Sequence, residues 1–281
     1  MRVRLLITIN YNHMGQWKKI LFFIGSLLIA TSFLAAHEFW LQPEKFICKR
    51  GETINIRFKV GENFKGDNWL GNSTRINSLK LYLNNARDDL SEQLSKETGD
   101  SLQIAMFDEG TAMVTFNSNN AFIKMEAPKF NEYLKEDGLY NAIDDREKNH
   151  ETNSGGRELY QRSVKTLIQV GTKTNNCFKQ ATDLPLDIIP QSNPYQLKNN
   201  QLLVAKVLFN KKPLINYDIR IWHRIRDTTL QQHLKTNQKG EIKFNVNTNG
   251  KWMVSTVKMT RLIDNAKADW QSYWGSLTWG Y

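Results

Sequence analysis

Ile54-Asn55-Ile56-Arg57-Phe58-Lys59-Val60 alternates apolar and polar side chains without a break. Successive side chains of a strand point to opposite faces, so Ile54, Ile56, Phe58 and Val60 make an apolar face while Asn55, Arg57 and Lys59 stay wet. That is the pattern of a half-buried antiparallel strand. Leu79-Lys80-Leu81-Tyr82-Leu83 alternates in the same way. Leu102 to Phe107 and Thr111 to Asn117 read as two more strands, separated by the turn residues Asp108-Glu109-Gly110. Their β-branched and aromatic content suits a sandwich layer.

The period changes at Lys129, where Phe130, Tyr133 and Leu134 fall on one helical stripe and Gly138 supplies a stop. This predicts a single short helical insertion in a β domain. Asp88 to Thr98 reads as a solvated turn or a short helical piece. The polar run from Asp144 to Gly156 reads as a loop, and Arg157 to Val170 as a segment that begins helically and finishes as a strand. Pro185, Pro190 and Pro194 mark an extended crossing into a second set of short strands: Gln201 to Phe209, Tyr217 to Trp222, Ile242 to Val246 and Gly250 to Val257. The expectation is an all-β chain of two β-sandwich domains, residues 37–182 and 183–281. Trp270, Tyr273, Trp274 and Trp279 are expected in the core, with an exposed sugar-stacking platform as the alternative. Too few segments carry lipid-facing alternation for an outer-membrane barrel.

Before this β region, Lys18-Lys19 precedes an apolar run from Ile20 to Leu34 that ends in Ala35-Ala36. That is the order of a secretory signal peptide over residues 1–36, and an uncleaved membrane anchor is the rival reading. Met14-Gly15-Gln16-Trp17-Lys18-Lys19 already forms a complete positive leader, so translation is expected to begin at Met14. The expected location is the periplasm or another exported compartment, with membrane contact only through an uncleaved signal segment. In an oxidising compartment Cys48 and Cys177 are placed to form a disulfide, and two free buried thiols are the alternative. The net charge of +10 is spread along the chain and falls partly in the leader. Such charge fits solubility or an anionic envelope, and nucleic-acid binding is not expected.

Several separated stretches together resemble one family of exported proteins, DUF4198. They are His37-Glu38-Phe39-Trp40-Leu41-Gln42-Pro43, Val60-Gly61-Glu62-Asn63-Phe64, Lys129-Phe130 through Gly138-Leu139, Glu158-Leu159-Tyr160-Gln161-Arg162-Ser163-Val164-Lys165, Gly250-Lys251-Trp252-Met253, and Ala268 to Thr278. The resemblance implies immunoglobulin-like or prealbumin-like β domains, and a periplasmic, non-catalytic protein similar to the exported component of nickel and cobalt uptake systems. It carries over one candidate ligand, His37. Family members often have a histidine where this chain has Lys258, and an ammonium is a poor ligand.

Cleavage after Ala36 exposes the amine of His37 beside its own imidazole, a chelating pair of nitrogen donors suited to Ni²⁺, Co²⁺ or Cu²⁺. Two donors make a weak site, so Glu38, His150, His223 and His233 form the pool from which further ligands have to come; His150 reads first as a solvated loop residue and only secondarily as a ligand. The competing expectation is an envelope interaction module that binds a transport component, another protein or a glycan without metal. Enzyme function is not expected: the chain has no Gly-rich phosphate loop, no Gly-x-Ser-x-Gly elbow and no His-Glu-x-x-His pair. Tyr160 and Arg162 share one face of a strand with Lys165 on the other. The expected role of Arg162 is packing on an aromatic ring or pairing with a buried carboxylate.

Overall fold

The computed structural model describes residues 38–281. The first part runs β1 (Glu38–Pro43), β2 (Ile47–Cys48), β3 (Thr53–Glu62), β4 (Lys65–Asn68), β5 (Ile76–Leu83), β6 (Ala86–Asp89), β7 (Leu102–Ala105), β8 (Gly110–Ser118) and β9 (Ala121–Met125). The helices α1 (Ala127–Glu136) and α2 (Tyr140–Lys148) follow, then β10 (Gly156–Val170) and β11 (Leu186–Pro190). The remainder is β12 (Leu202–Phe209), β13 (Lys212–Pro213), β14 (Asp218–Ile225), β15 (Thr228–Lys235), β16 (Glu241–Asn245), β17 (Lys251–Arg261) and β18 (Trp270–Gly280). None of the helices in this region is long and apolar enough to cross a membrane.

The fold is all-β, in three sheets. A ten-stranded sheet runs β15-β14-β17-β18-β10-β8-β5-β6, with β2 and β9 also pairing with β10. The strand expected from the alternation at Ile54 is β3, the centre of a four-stranded sheet with β1, β4 and β7. A second four-stranded sheet is built from β11, β12, β13 and β16.

Side-chain parity shows how these layers stack. Leu79, Leu81 and Leu83 of β5, Ala112, Val114 and Phe116 of β8, and Val164, Ile168 and Val170 of β10 share a core with Leu41, Ile54, Ile56 and Phe58. The intervening Tyr82, Met113 and Leu167 point the other way and join Ile188, Leu203, Val207, Val254, Leu277 and Trp279. The wide sheet is therefore the shared layer of two sandwiches, one on each face. Its central strands are covered on both sides, which is why every residue of β8 is buried. Strands from either side of residue 182 join in this sheet, since β10 and β18 run parallel from Glu158↔Trp270 to Thr166↔Thr278. The described residues cluster as one compact unit.

Three local readings change. The insertion holds two helices: α1 buries Phe130, Tyr133 and Leu134 as predicted, and Gly138 follows it at φ +65°. Part of the polar run after it is α2, which buries Ala142 and Arg146. The Arg146 guanidinium donates to the carbonyls of Glu151 (2.8 Å) and Ser154 (2.6 Å) and lies 4.8 Å from the Phe130 ring centre. A charged side chain occupies the inner face, so no apolar stripe announces the helix. The segment after Arg157 is strand throughout, held by β9 on one side and β18 on the other. Finally, Cys48 and Cys177 are both buried free thiols, in place of the expected disulfide. Cys48 sits in the β2–β10 ladder opposite Val170, and the Cys177 thiol donates to the Asn84 carbonyl at 3.1 Å.

Candidate functional site

At the start of β1, a cavity of about 170 Å³ opens between the α1–α2 corner and the wide sheet, lined by Glu38, Asp137, Tyr140, Asp218, Arg220, His233 and Trp274, among others. Each wall has a local cause. Asp137 caps the C-terminus of α1, so its position is set by the apolar stripe that docks the helix. Arg220 and His233 face each other across the β14–β15 ladder. Glu38 is placed by β1 pairing with β3, where it lies opposite Gly61.

Arg220 organises the floor. One of its nitrogens, Nη1, lies 2.8 Å from Asp137 Oδ1 and 3.0 Å from Glu38 Oε1, and Nη2 donates to the Glu136 carbonyl. The guanidinium is mostly buried and both carboxylates are nearly inaccessible. Burial pushes Glu38 up to about 7 and Asp137 up to about 6, outweighing the attraction of Arg220 in each case. Burial also pulls on Arg220, but its two carboxylates more than offset that and its pKa rises. Asp137 Oδ2 is buried without a hydrogen-bond partner.

A second buried carboxyl lies behind this floor. Glu158 Oε1 accepts hydrogen bonds from Tyr133 Oη (3.1 Å) and Ser272 Oγ, and Trp274 Nε1 donates to the same serine at 3.1 Å. Burial pushes Glu158 up to about 7, against its hydrogen bonds from Ser272 and Tyr133, and the charge of Asp137 adds to the rise. Tyr133 is raised well above the usual phenol range by its own burial and by the Glu158 and Asp137 charges. Three of the four expected aromatics are core: Trp270, Trp274 and Trp279 are buried, with Tyr133 stacked on Trp274 at 13°, while Tyr273 is half-buried at the edge of the cluster.

His37 and the signal segment, including Met14, lie outside the described residues. Glu38, the next residue in the chain, lines the cavity. His233 lines it too and is exposed. His223 is elsewhere in the packing: it stacks on Trp252 with ring centres 4.0 Å apart, and Nε2 lies 2.8 Å from the Asn249 carbonyl. His150 is exposed just past α2, in a left-handed conformation with φ +57°. Among the described residues, no three or more His, Cys, Asp or Glu side chains are grouped to hold a metal. Lys258 lies over the Tyr217 ring, 4.9 Å from its centre. Arg162 takes the aromatic role expected of it, 4.6 Å from the Phe39 ring centre and 5.1 Å from that of Tyr160. Of the Asp137–Arg220–Glu38 floor, Glu38 carries a sequence signal as the neighbour of His37 and Asp137 only as an acidic residue at the end of the predicted helix; Arg220 carries none.

A family model, described as a domain of unknown function (DUF4198), matches residues 34–260. The chain belongs to the DUF4198 family. That match covers strands of both sandwiches but not β18, and the cavity lining except Trp274 and Gly275. No curated protein matches this DUF4198 chain. Among solved structures, a mutant of Salmonella alpha-2-macroglobulin aligns with 88% of the chain and 15% of its own, at 7% identity and a TM-score of 0.19. Three N-terminal domains of the bacteriophage RB49 outer capsid protein Hoc align with 86% of the chain and 59% of their own, at 11% identity and a TM-score of 0.19. The chain thus spans a small part of the first and somewhat over half of the second, and similarity this low carries no argument.

Proposed function

We propose that this DUF4198 protein is exported by cleavage after Ala36 and acts without catalysis as a binder of a divalent transition metal, nickel, cobalt or copper. The observation that carries the reading is the position of Glu38: the residue that follows His37 lines a cavity that also holds Asp137, Asp218 and His233. The amine and imidazole of His37 supply two nitrogen donors. Asp137, Asp218 and His233 are carboxylate and imidazole groups of the donor classes that extend such a pair, though among the described residues they do not form a ligand group by themselves. The donor chemistry fits: Asp137 Oδ2 is unpartnered, and His233 is exposed. Arg220 already holds Glu38 and Asp137 through their other oxygens, which leaves Asp218 and His233 as the side chains best able to turn toward an ion.

The test is calorimetric titration of the mature protein, its native terminus verified by mass, with Ni²⁺, Co²⁺, Cu²⁺ and Zn²⁺. Binding of micromolar strength or tighter, lost in His37→Ala and on adding one residue ahead of His37, supports the reading. A native-terminus protein that binds none of these ions overturns it and leaves the alternative, an envelope module that docks on a protein or glycan.

A further inference from the structure

The wide sheet buries one lysine completely. Lys165 sits on β10, on the face that carries Leu167, and its side chain is 1% exposed; its partner Asp187, on β11 of the small sheet, is 3% exposed. Lys165 Nζ lies 2.5 Å from Asp187 Oδ1. The other carboxylate oxygen, Oδ2, accepts two hydrogen bonds from one residue: Thr182 N–H at 2.8 Å and Thr182 Oγ1 at 3.0 Å. Thr182 Oγ1 in turn accepts from the Leu184 amide at 3.3 Å, so its hydroxyl proton is directed at Asp187. The hydrophobic cluster on this face of β10 holds Leu167, Leu186, Ile188 and Leu277, and the Tyr82 phenol lies near enough to feel the Asp187 charge.

This arrangement has the parts of an acyl-transfer site. The amine and the carboxyl are held in hydrogen-bond contact, Lys165 Nζ 2.5 Å from Asp187 Oδ1, which fixes the nucleophile beside the carbon it attacks. Two donors point at the oxygen that gains charge when the carbonyl carbon is attacked, as in an oxyanion hole. Both side chains are closed off from solvent, which shields an amide between them from hydrolysis.

We propose that Lys165 and Asp187 condense to an intramolecular isopeptide bond that fastens β10 to β11, and so joins two of the three sheets covalently. A proton moves from Nζ to Oδ1 along their hydrogen bond, giving a neutral amine and a neutral carboxylic acid. The Nζ lone pair adds to Cγ and the displaced electron pair rests on Oδ2, stabilised by Thr182. A second proton passes from Nζ to Oδ1, the Cγ–Oδ1 bond breaks, and Oδ1 leaves as water with both protons. One hydrogen stays on the amide nitrogen. The step needs no oxidant, reductant or cofactor, and it is independent of the metal reading.

The experiment is intact-mass spectrometry of the purified, folded mature protein after denaturation, followed by tandem spectra of a protease digest. The expected result is a mass lower than the sequence requires by one water, and a branched peptide linking Lys165 to Asp187. Lys165→Arg and Asp187→Ala are expected to restore the full mass and abolish the branched peptide. A wild-type protein of full sequence mass overturns the proposal without recourse to any variant. So does a water loss accompanied by linear peptides over both residues, which places the dehydration elsewhere.

Discussion

Arg220 Nη1 lies 2.8 Å from Asp137 Oδ1, so a strand of the wide sheet grips the C-terminal cap of α1 from below. The same nitrogen reaches Glu38, and the first strand, the helical insertion and the wide sheet meet at one guanidinium. Removing one partner of a buried pair leaves an uncompensated charge and costs about 3–5 kcal/mol. Arg220→Met is therefore expected to lower stability by about that much near neutral pH, measured by urea unfolding. Acid narrows the deficit, because protonation of Glu38 and Asp137 removes the charges left behind. A deficit that stays constant down to mildly acidic pH contradicts this role.

Glu158 gives the fold a pH dependence of definite sign. Its folded pKa is raised, from 4.5 to about 7, so the folded state binds a proton more tightly than the unfolded chain. The associated stability is fully present below 4.5 and is lost as pH rises through about 7. Glu158→Gln keeps an acceptor for Tyr133 and Ser272 and cannot ionise. Urea unfolding across this window is expected to show a flatter slope in the variant than in the wild type. Identical slopes remove Glu158 as a source of the dependence.

Arg146 replaces apolar packing under α2. Loss of its two carbonyl contacts leaves the Ser154 oxygen without its donor, leaves the Glu151 oxygen with the Ser154 amide alone, and uncovers the Phe130 ring. Arg146→Ala is expected to cost about 2–3 kcal/mol. It is also expected to speed proteolysis between α2 and β10, read from cleavage sites by mass spectrometry. Unchanged cleavage there, with unchanged stability, contradicts the role.

The alternation at Ile54, Ile56 and Phe58, the stripe on α1 and the aromatic C-terminal segment were all legible, because in each the burial follows the apolar pattern. The shared wide sheet was not. Its doubly covered strands bury Thr111, Thr115, Asn117, Ser163, Lys165, Thr166, Ser276 and Thr278. In a sequence such residues mark a wet face. Here they are satisfied across the layers: Ser276 Oγ donates to the Phe39 carbonyl and Thr278 Oγ1 to the Leu41 carbonyl. The strand Thr228–Lys235 went unread because only its pairing with β14 defines it; most of its side chains are exposed. At the site, Glu38 was legible as a neighbour of His37. Asp137, Arg220 and His233 were brought to it by docking of a helix and pairing of distant strands, which no local pattern records.

The metal reading proposed above rests on coordination by the terminal nitrogens of His37. Electron paramagnetic resonance of the mature protein with one equivalent of Cu²⁺ tests it most directly, in parallel with a protein carrying one extra residue ahead of His37. Nitrogen hyperfine splitting is expected in the native-terminus protein, and its loss or simplification in the extended one. Identical spectra from the two proteins, or a spectrum of copper with oxygen ligands alone, would contradict it.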